Sequence, residues 1–230
     1  LKACSKDNAM EGAISIAFET EPSYFEALKV QGKSSQIVTV KRGSELTGFG
    51  VRTVKSLYVN GVPQDIGYLS GLKGYKKFRG GLLLARGYKF FRELDKDGAV
   101  PFYITTIIED NEKARSILEN ARAGLPNYYP LGALQTFVIK PQKKKPRKKF
   151  DIVRGNAISL ESIINFMHTE GRKKQFYPYY EKEDLQIVMK AKDILKKGEF
   201  TDAFAKVVEL VLKSNSRMKI LKMLLWRNWK

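Results

Sequence analysis

Two hydrophobic periodicities divide the chain. Up to about residue 139, short runs of alternating or continuous apolar residues are interleaved with stretches in which apolar positions recur every three or four residues. Residues 36–41 and 46–59 read as strands, and Asn60-Gly61 is a two-residue hairpin signal leading into a strand that ends at Leu72. Residues 22–30 read as a short helix with Pro22 in its first turn. A longer helix from about Gly81 to Leu94 is closed by Asp97-Gly98, and residues 100–108 are the mostly apolar, β-branched run of a central strand. Strand, helix and strand in succession imply a crossover and parallel pairing. Asp110 is placed to cap a helix from Asn111 to about Ala121, and residues 131–139 supply a final strand. The expected fold class is α/β, a mixed, mostly antiparallel central sheet with flanking helices.

After residue 139 the pattern changes. Lys140, Lys143, Lys144, Lys145, Arg147, Lys148 and Lys149 put seven positive charges and no acidic residue into residues 140–149, which also contain two prolines. Like charges repel and proline breaks helix and ladder alike, so this reads as an exposed linker between a domain at 1–139 and a mostly helical region at 150–230. Residues 150–154 read as a short strand and 160–168 as a helix. Asp184 is placed to cap a stripe of Ile187, Val188, Ala191, Ile194 and Leu195. Further helical stripes follow, Phe204 to Leu212 and then Met218, Leu221 and Leu225.

Composition narrows the chemistry. With 230 residues and 43% hydrophobic content the chain can bury a normal core. No apolar run approaches the roughly 20 residues of a membrane span and no charged-then-apolar leader is visible, so a soluble cytoplasmic protein without a membrane partner is expected. The single cysteine, Cys4, and single histidine, His168, exclude a disulfide framework and zinc sites built from several such ligands. His168 falls on an apolar-periodic segment, where a structural role outweighs catalysis. The net charge of +18 suits an anionic partner, nucleic acid among them, but its concentration in the linker argues for a tether as readily as for a nucleic-acid arm.

The candidate chemistry centres on the apolar run Ile66 to Leu72, the basic glycine loop Lys73 to Gly81, and the helix after it. Gly80 and Gly81 allow close backbone approach to an anion, the first helical N–H groups lack partners, and Lys76, Lys77 and Arg79 add charge. A sharp strand-to-helix turn with solvated lysines is the other reading of the same residues.

The order of elements, together with Glu11-Gly-Ala-Ile-Ser-Ile-Ala-Phe18, Gly67-Tyr-Leu-Ser-Gly-Leu72, Phe78-Arg-Gly-Gly-Leu82 and Thr105-Thr-Ile-Ile-Glu-Asp-Asn111, resembles the GCN5-related N-acetyltransferases over about residues 12–139. The resemblance is to a little-characterised bacterial subgroup, in which a second acetyltransferase-like half is a recurring arrangement. It implies the acyl-CoA N-acyltransferase fold, acetyl-CoA or CoA as cofactor, and a small-molecule or protein amine as acceptor. Backbone groups around Leu72 would pair with the pantetheine arm, Arg79, Gly80, Gly81 and Leu82 would cradle the pyrophosphate, and Asn111 would lie near the pantetheine. Lys76, Lys77 and Arg115 are nearby cations suited to the 3′-phosphate.

Two departures bear on catalysis. The family's usual phosphate-loop pattern is compressed to adjacent glycines, and Leu118 stands where relatives often carry a tyrosine that protonates the leaving thiolate. The strand ending at Leu72 also lacks a glutamate base. Tyr68 and Ser70 share one face of that strand and can orient a water, and Glu109 lies at the end of the parallel strand, so these three are the candidate catalytic groups. Tyr24, Tyr128 and Tyr129 line an acceptor cleft or are ordinary packing. A CoA-binding module without transfer activity is the alternative function.

Overall fold

The computed structural model describes residues 23–75, 83–120, 125–135, 157–186 and 220–226. Among these the helices are α1 (Tyr24–Lys29), α2 (Leu83–Asp95), α3 (Glu112–Glu119) and α4 (Leu160–Gly171), and the strands are β1 (Ser34–Arg42), β2 (Glu45–Val59), β3 (Val62–Gly74), β4 (Tyr103–Ile108), β5 (Tyr128–Gln135) and β6 (Ile220–Trp226). The strands form one open sheet in the order β1-β2-β3-β4-β6-β5. β1 and β2 are antiparallel, as are β4 with β6 and β5 with β6, whereas β3 and β4 are parallel. This is the mixed, mostly antiparallel sheet with flanking helices that the sequence leads one to expect.

The elements form where local chemistry favours them. Ser23 caps α1 through Glu26 N–H. Asn60 and Gly61 both adopt positive φ, 52° and 79°, the conformation of the tight turn that joins β2 to β3. Gly98, φ 64°, follows the end of α2. Four expectations are corrected. Asn111, not Asp110, caps α3, its side-chain oxygen accepting from Ala114 N–H, because the helix starts one residue later than expected. Asp184 does not precede a helix but sits inside the helical turn 182–186, where its carboxylate accepts Glu181 N–H at 2.9 Å. Leu221 and Leu225 of the expected helical stripe lie in strand β6, since a place between β4 and β5 offers ladders on both sides, and Met218 lies outside the described residues. The final strand of the first region starts at Tyr128, earlier than expected.

The chain divides into two compact units. The first comprises residues 1–56, 65–136 and 219–230. Residues 47–54 of β2 are buried without a break, as befits a strand covered on both faces. One core cluster joins Val38, Val54, Leu69, Tyr103 and Ile107 of the sheet to Tyr88 and Phe91 of α2 and Leu118 of α3. A second packs Leu28 of α1 on Phe49 and Val51. A buried polar network crosses the first: Arg52, 3% exposed, donates to both carboxylate oxygens of Asp97 at 2.8 Å, to Tyr103 Oη at 2.7 Å and to Gln36 Oε1 at 2.6 Å. It ties the loop after α2 and the start of β4 to the middle of the sheet.

The second unit comprises residues 57–64 and 137–218. The hairpin tip pairs there with the segment after α4: Tyr58 N–H donates to Tyr177 O at 2.9 Å and Phe176 N–H to Tyr58 O at 2.8 Å. His168 is a packing residue, with Nε2 2.8 Å from Tyr180 O and its ring stacked on Tyr179 at 4.6 Å. A Cβ at Gly171 would meet the Tyr177 and Tyr58 rings at 2.7 and 2.8 Å, so glycine is required at that contact. No described helix is long and apolar enough to cross a membrane.

Candidate functional site

β3 and β4 are paired only at Gly67 with Tyr103 and Tyr68 with Ile104, although both strands continue beyond that point. β4 stays laddered to β6 on its other side through Ile108, and Tyr75 N–H, just past β3, donates to Thr47 O at 3.1 Å, so each strand keeps its outer neighbour while the two part. Side chains take over where the ladder stops. Thr105 Oγ1 donates to Leu69 O at 2.7 Å, and Tyr68 Oη lies 2.8 Å from Thr106 Oγ1. Gly67 permits the first of the two paired steps, since a Cβ there would stand 2.1 Å from the Tyr103 ring.

Beyond this point β3 is broken by Gly71, whose φ of +62° is a conformation that L side chains rarely adopt. A Cβ at Gly71 would meet Tyr24 Oη at 3.1 Å and Val51 Cγ2 at 3.3 Å. A positive-φ residue in a strand re-aims the backbone that follows it, here Leu72, which is 51% exposed despite its apolar side chain. In open α/β sheets ligands bind outside the C-terminal ends of parallel strands, so the gap where β3 and β4 part is the candidate cleft.

The sequence-derived candidates distribute around this cleft as follows. Tyr68 is half-buried at its mouth, bonded to Thr106, with the Lys55 ammonium 4.3 Å from its ring centroid. Ser70 is half-buried on the same strand, and Glu109 follows directly on the end of β4. Asn111 is occupied as the α3 cap. Arg115 reaches back toward the end of β4, its Nη1 3.3 Å from Glu109 O, while its Nε donates to Glu119 at 3.1 Å. Lys76, Lys77, Arg79, Gly80, Gly81 and Leu82 lie outside the described residues, as do Cys4, the basic segment 140–149, the expected strand at 150–154 and the stripes between Ile187 and Leu212.

Two expected features are settled by packing. Leu118 is 5% exposed inside the first core cluster, so it is a packing residue. Tyr128 is also core: its hydroxyl lies 2.8 Å from that of Tyr88, burial pushes the Tyr88 phenol up to about 12, and Tyr128 is raised as well. Tyr24 packs edge-on against Phe49 at 5.5 Å, whereas Tyr129 is exposed.

Sequence reasoning missed Gly71, Thr105, Thr106 and Lys55. An isolated glycine within a strand run is a signal for a break, and Ser70-Gly71-Leu72 carried it. The threonines have no such signal, because their partners lie on another strand. Lys55 is half-buried, and burial lowers its ammonium pKa.

No protein-family model matches the chain, and no curated protein matches it. Solved structures align with parts of it. A probable N-acyltransferase from Enterococcus faecalis aligns over 42% of this chain with 15% identity and a TM-score of 0.34, and a GCN5-related N-acetyltransferase from Kribbella flavida over 43% with 15% identity and a TM-score of 0.33. The microcin self-immunity acetyltransferase MccE, solved with acetyl-CoA and AMP, aligns over 50% with 18% identity and a TM-score of 0.36. The chain spans 25%, 22% and 58% of those three chains respectively.

Proposed function

We propose that this chain is an acetyl-CoA-dependent N-acyltransferase that moves an acetyl group to an amine by direct attack on the thioester. The observation that carries the reading is the parting of β3 and β4 after Tyr68 and Ile104, with the positive-φ break at Gly71 beside it. The residues present fit an extended acyl-CoA: the backbone around Leu72 would hold the pantetheine arm, and the glycine-rich basic loop Arg79, Gly80, Gly81 and Leu82, with Lys76 and Lys77, would hold the phosphates. Arg115, beside the end of β4, would add charge near the 3′-phosphate, and Asn111 would fix the start of α3 next to the arm.

Bound acetyl-CoA supplies an activated acyl group, so no covalent enzyme intermediate is needed. What the chain must supply is orientation, a polarising backbone N–H and proton management. The Tyr68 hydroxyl, already bonded to Thr106, and the Ser70 hydroxyl are suited to orienting a water, and Glu109 at the strand end is suited to accept the amine proton.

The test is calorimetry of acetyl-CoA with the full chain and with an Arg79→Glu, Gly80→Asp double variant. Binding of about micromolar strength that the variant abolishes is expected; absence of binding to the unaltered chain sinks the reading. A second reading, a CoA-binding module without transfer, is favoured by Leu118, whose burial leaves no side-chain acid at that position. Binding without CoA release across a panel of primary amines would select it.

A further inference from the structure

Lys55 is the unexplained cation of this region. It belongs to β2, yet its ammonium lies over the Tyr68 ring, 4.3 Å from the centroid, and the Tyr68 hydroxyl in turn sits on Thr106 where β3 and β4 part. Lys29 and Lys96 are exposed and paired with Glu26 and Glu93. Lys55 has no carboxylate partner among the described residues and is held instead by an aromatic face at the cleft. We propose that Lys55 is an acetyl acceptor in cis, a modification site acylated by the donor that this cleft receives. The inference rests on the acyltransferase reading and names one amine for it.

The chemistry suits the place. Burial disfavours the charged ammonium, so the nucleophilic neutral amine is more accessible here than on a solvated lysine. In the step, one ammonium proton goes to water, Nζ forms a bond to the acetyl carbonyl carbon, the carbon–sulfur bond breaks, and a second nitrogen-bound proton passes to the departing sulfur. The product is CoA thiol and a neutral lysine amide. That amide carries no charge to be penalised by burial, and it loses the cation–π contact with Tyr68.

The experiment incubates the full chain with acetyl-CoA and follows each lysine by peptide mass spectrometry, with acetyl-CoA binding measured separately by calorimetry. Lys55 should acquire one acetyl group more than about tenfold faster than Lys29 or Lys96, a modest part of what positioning can supply. Its rate should be independent of protein concentration, as for transfer within one chain. Lys55→Arg, which keeps the cation over Tyr68, should remove that product while leaving the circular dichroism spectrum and acetyl-CoA binding unchanged. If acetyl-CoA binds but Lys55 is labelled no faster than Lys29 and Lys96, the inference falls and the acyltransferase reading stands; if acetyl-CoA does not bind, both fall.

Discussion

Replacing Asp97 by asparagine removes the negative charge from the network that fixes the start of β4, the point from which the candidate cleft opens. Arg52 is 3% exposed and donates twice to Asp97 at 2.8 Å, so its guanidinium has little water to fall back on. A hydrogen bond to a charged group contributes about 1.5–3 kcal/mol, and the amide keeps one acceptor while losing the other. Breaking a fully buried ion pair costs about 3–5 kcal/mol, but the Asp97 side chain is 41% exposed, and water screens and partly replaces it. The expected loss is therefore about 2 kcal/mol, read as a shift in the urea midpoint of the full chain by circular dichroism with the slope unchanged.

The exposed pair of Lys96 and Glu93 provides the control, with Lys96→Ala costing under about 0.5 kcal/mol. The pH dependence has a defined sign. Burial pushes the Asp97 carboxyl up, but the Arg52 hydrogen bond and Ala99 N–H outweigh it and hold the group below its ordinary 3.8. A depressed carboxylate stabilises the fold above its unfolded pKa, and that contribution fades as pH falls through the native value. The gap between the parent and Asp97→Asn should be full at pH 7 and narrow below about pH 4. A gap under about 0.5 kcal/mol at pH 7, or one that widens in acid, refutes the assignment of Asp97 as the counter-charge on which buried Arg52 depends.

Two further outcomes follow from the same geometry. Gly71→Ala places a Cβ at positive φ against Tyr24 and Val51, which should cost about 1–2 kcal/mol in the urea midpoint and weaken acetyl-CoA binding in calorimetry; unchanged binding in the destabilised variant would remove the strand break from the site. Burial raises the Tyr88 phenol to about 12 from an ordinary 10.0, so its contribution is complete below pH 10 and lost as pH rises through 12. The Tyr88 share of the loss over that interval is about 2 kcal/mol, and Tyr88→Phe should make the fall shallower while Tyr128 continues to contribute; equal declines in parent and variant would contradict it.

Much of the first unit was legible because its elements are specified locally. Asn60-Gly61 has the positive-φ chemistry of a hairpin turn, and the apolar β-branched run after Asp97-Gly98 forms the strand of a crossover, whereas α1 starts at Tyr24 with Ser23 as its cap, so the expected place for Pro22 in the first turn is corrected. The candidate site was legible in part for the same reason: Tyr68 and Ser70 share a face because strand side chains alternate.

What the amino-acid order alone determined, then, are features whose energy comes from residues a few positions apart. The tertiary structure decided the rest. In Ile220–Trp226 the apolar positions satisfy helical and strand templates alike, and only the ladders of β4 and β5 select the strand. Arg52 reads as a solvent-facing charge until Asp97, 45 positions away, makes its burial tolerable. The cleft itself is written in no motif: it exists because β3 and β4 each remain bonded to an outer neighbour while separating from one another, and hydrogen bonds between distant strands are selected by the assembled sheet, not by local propensity.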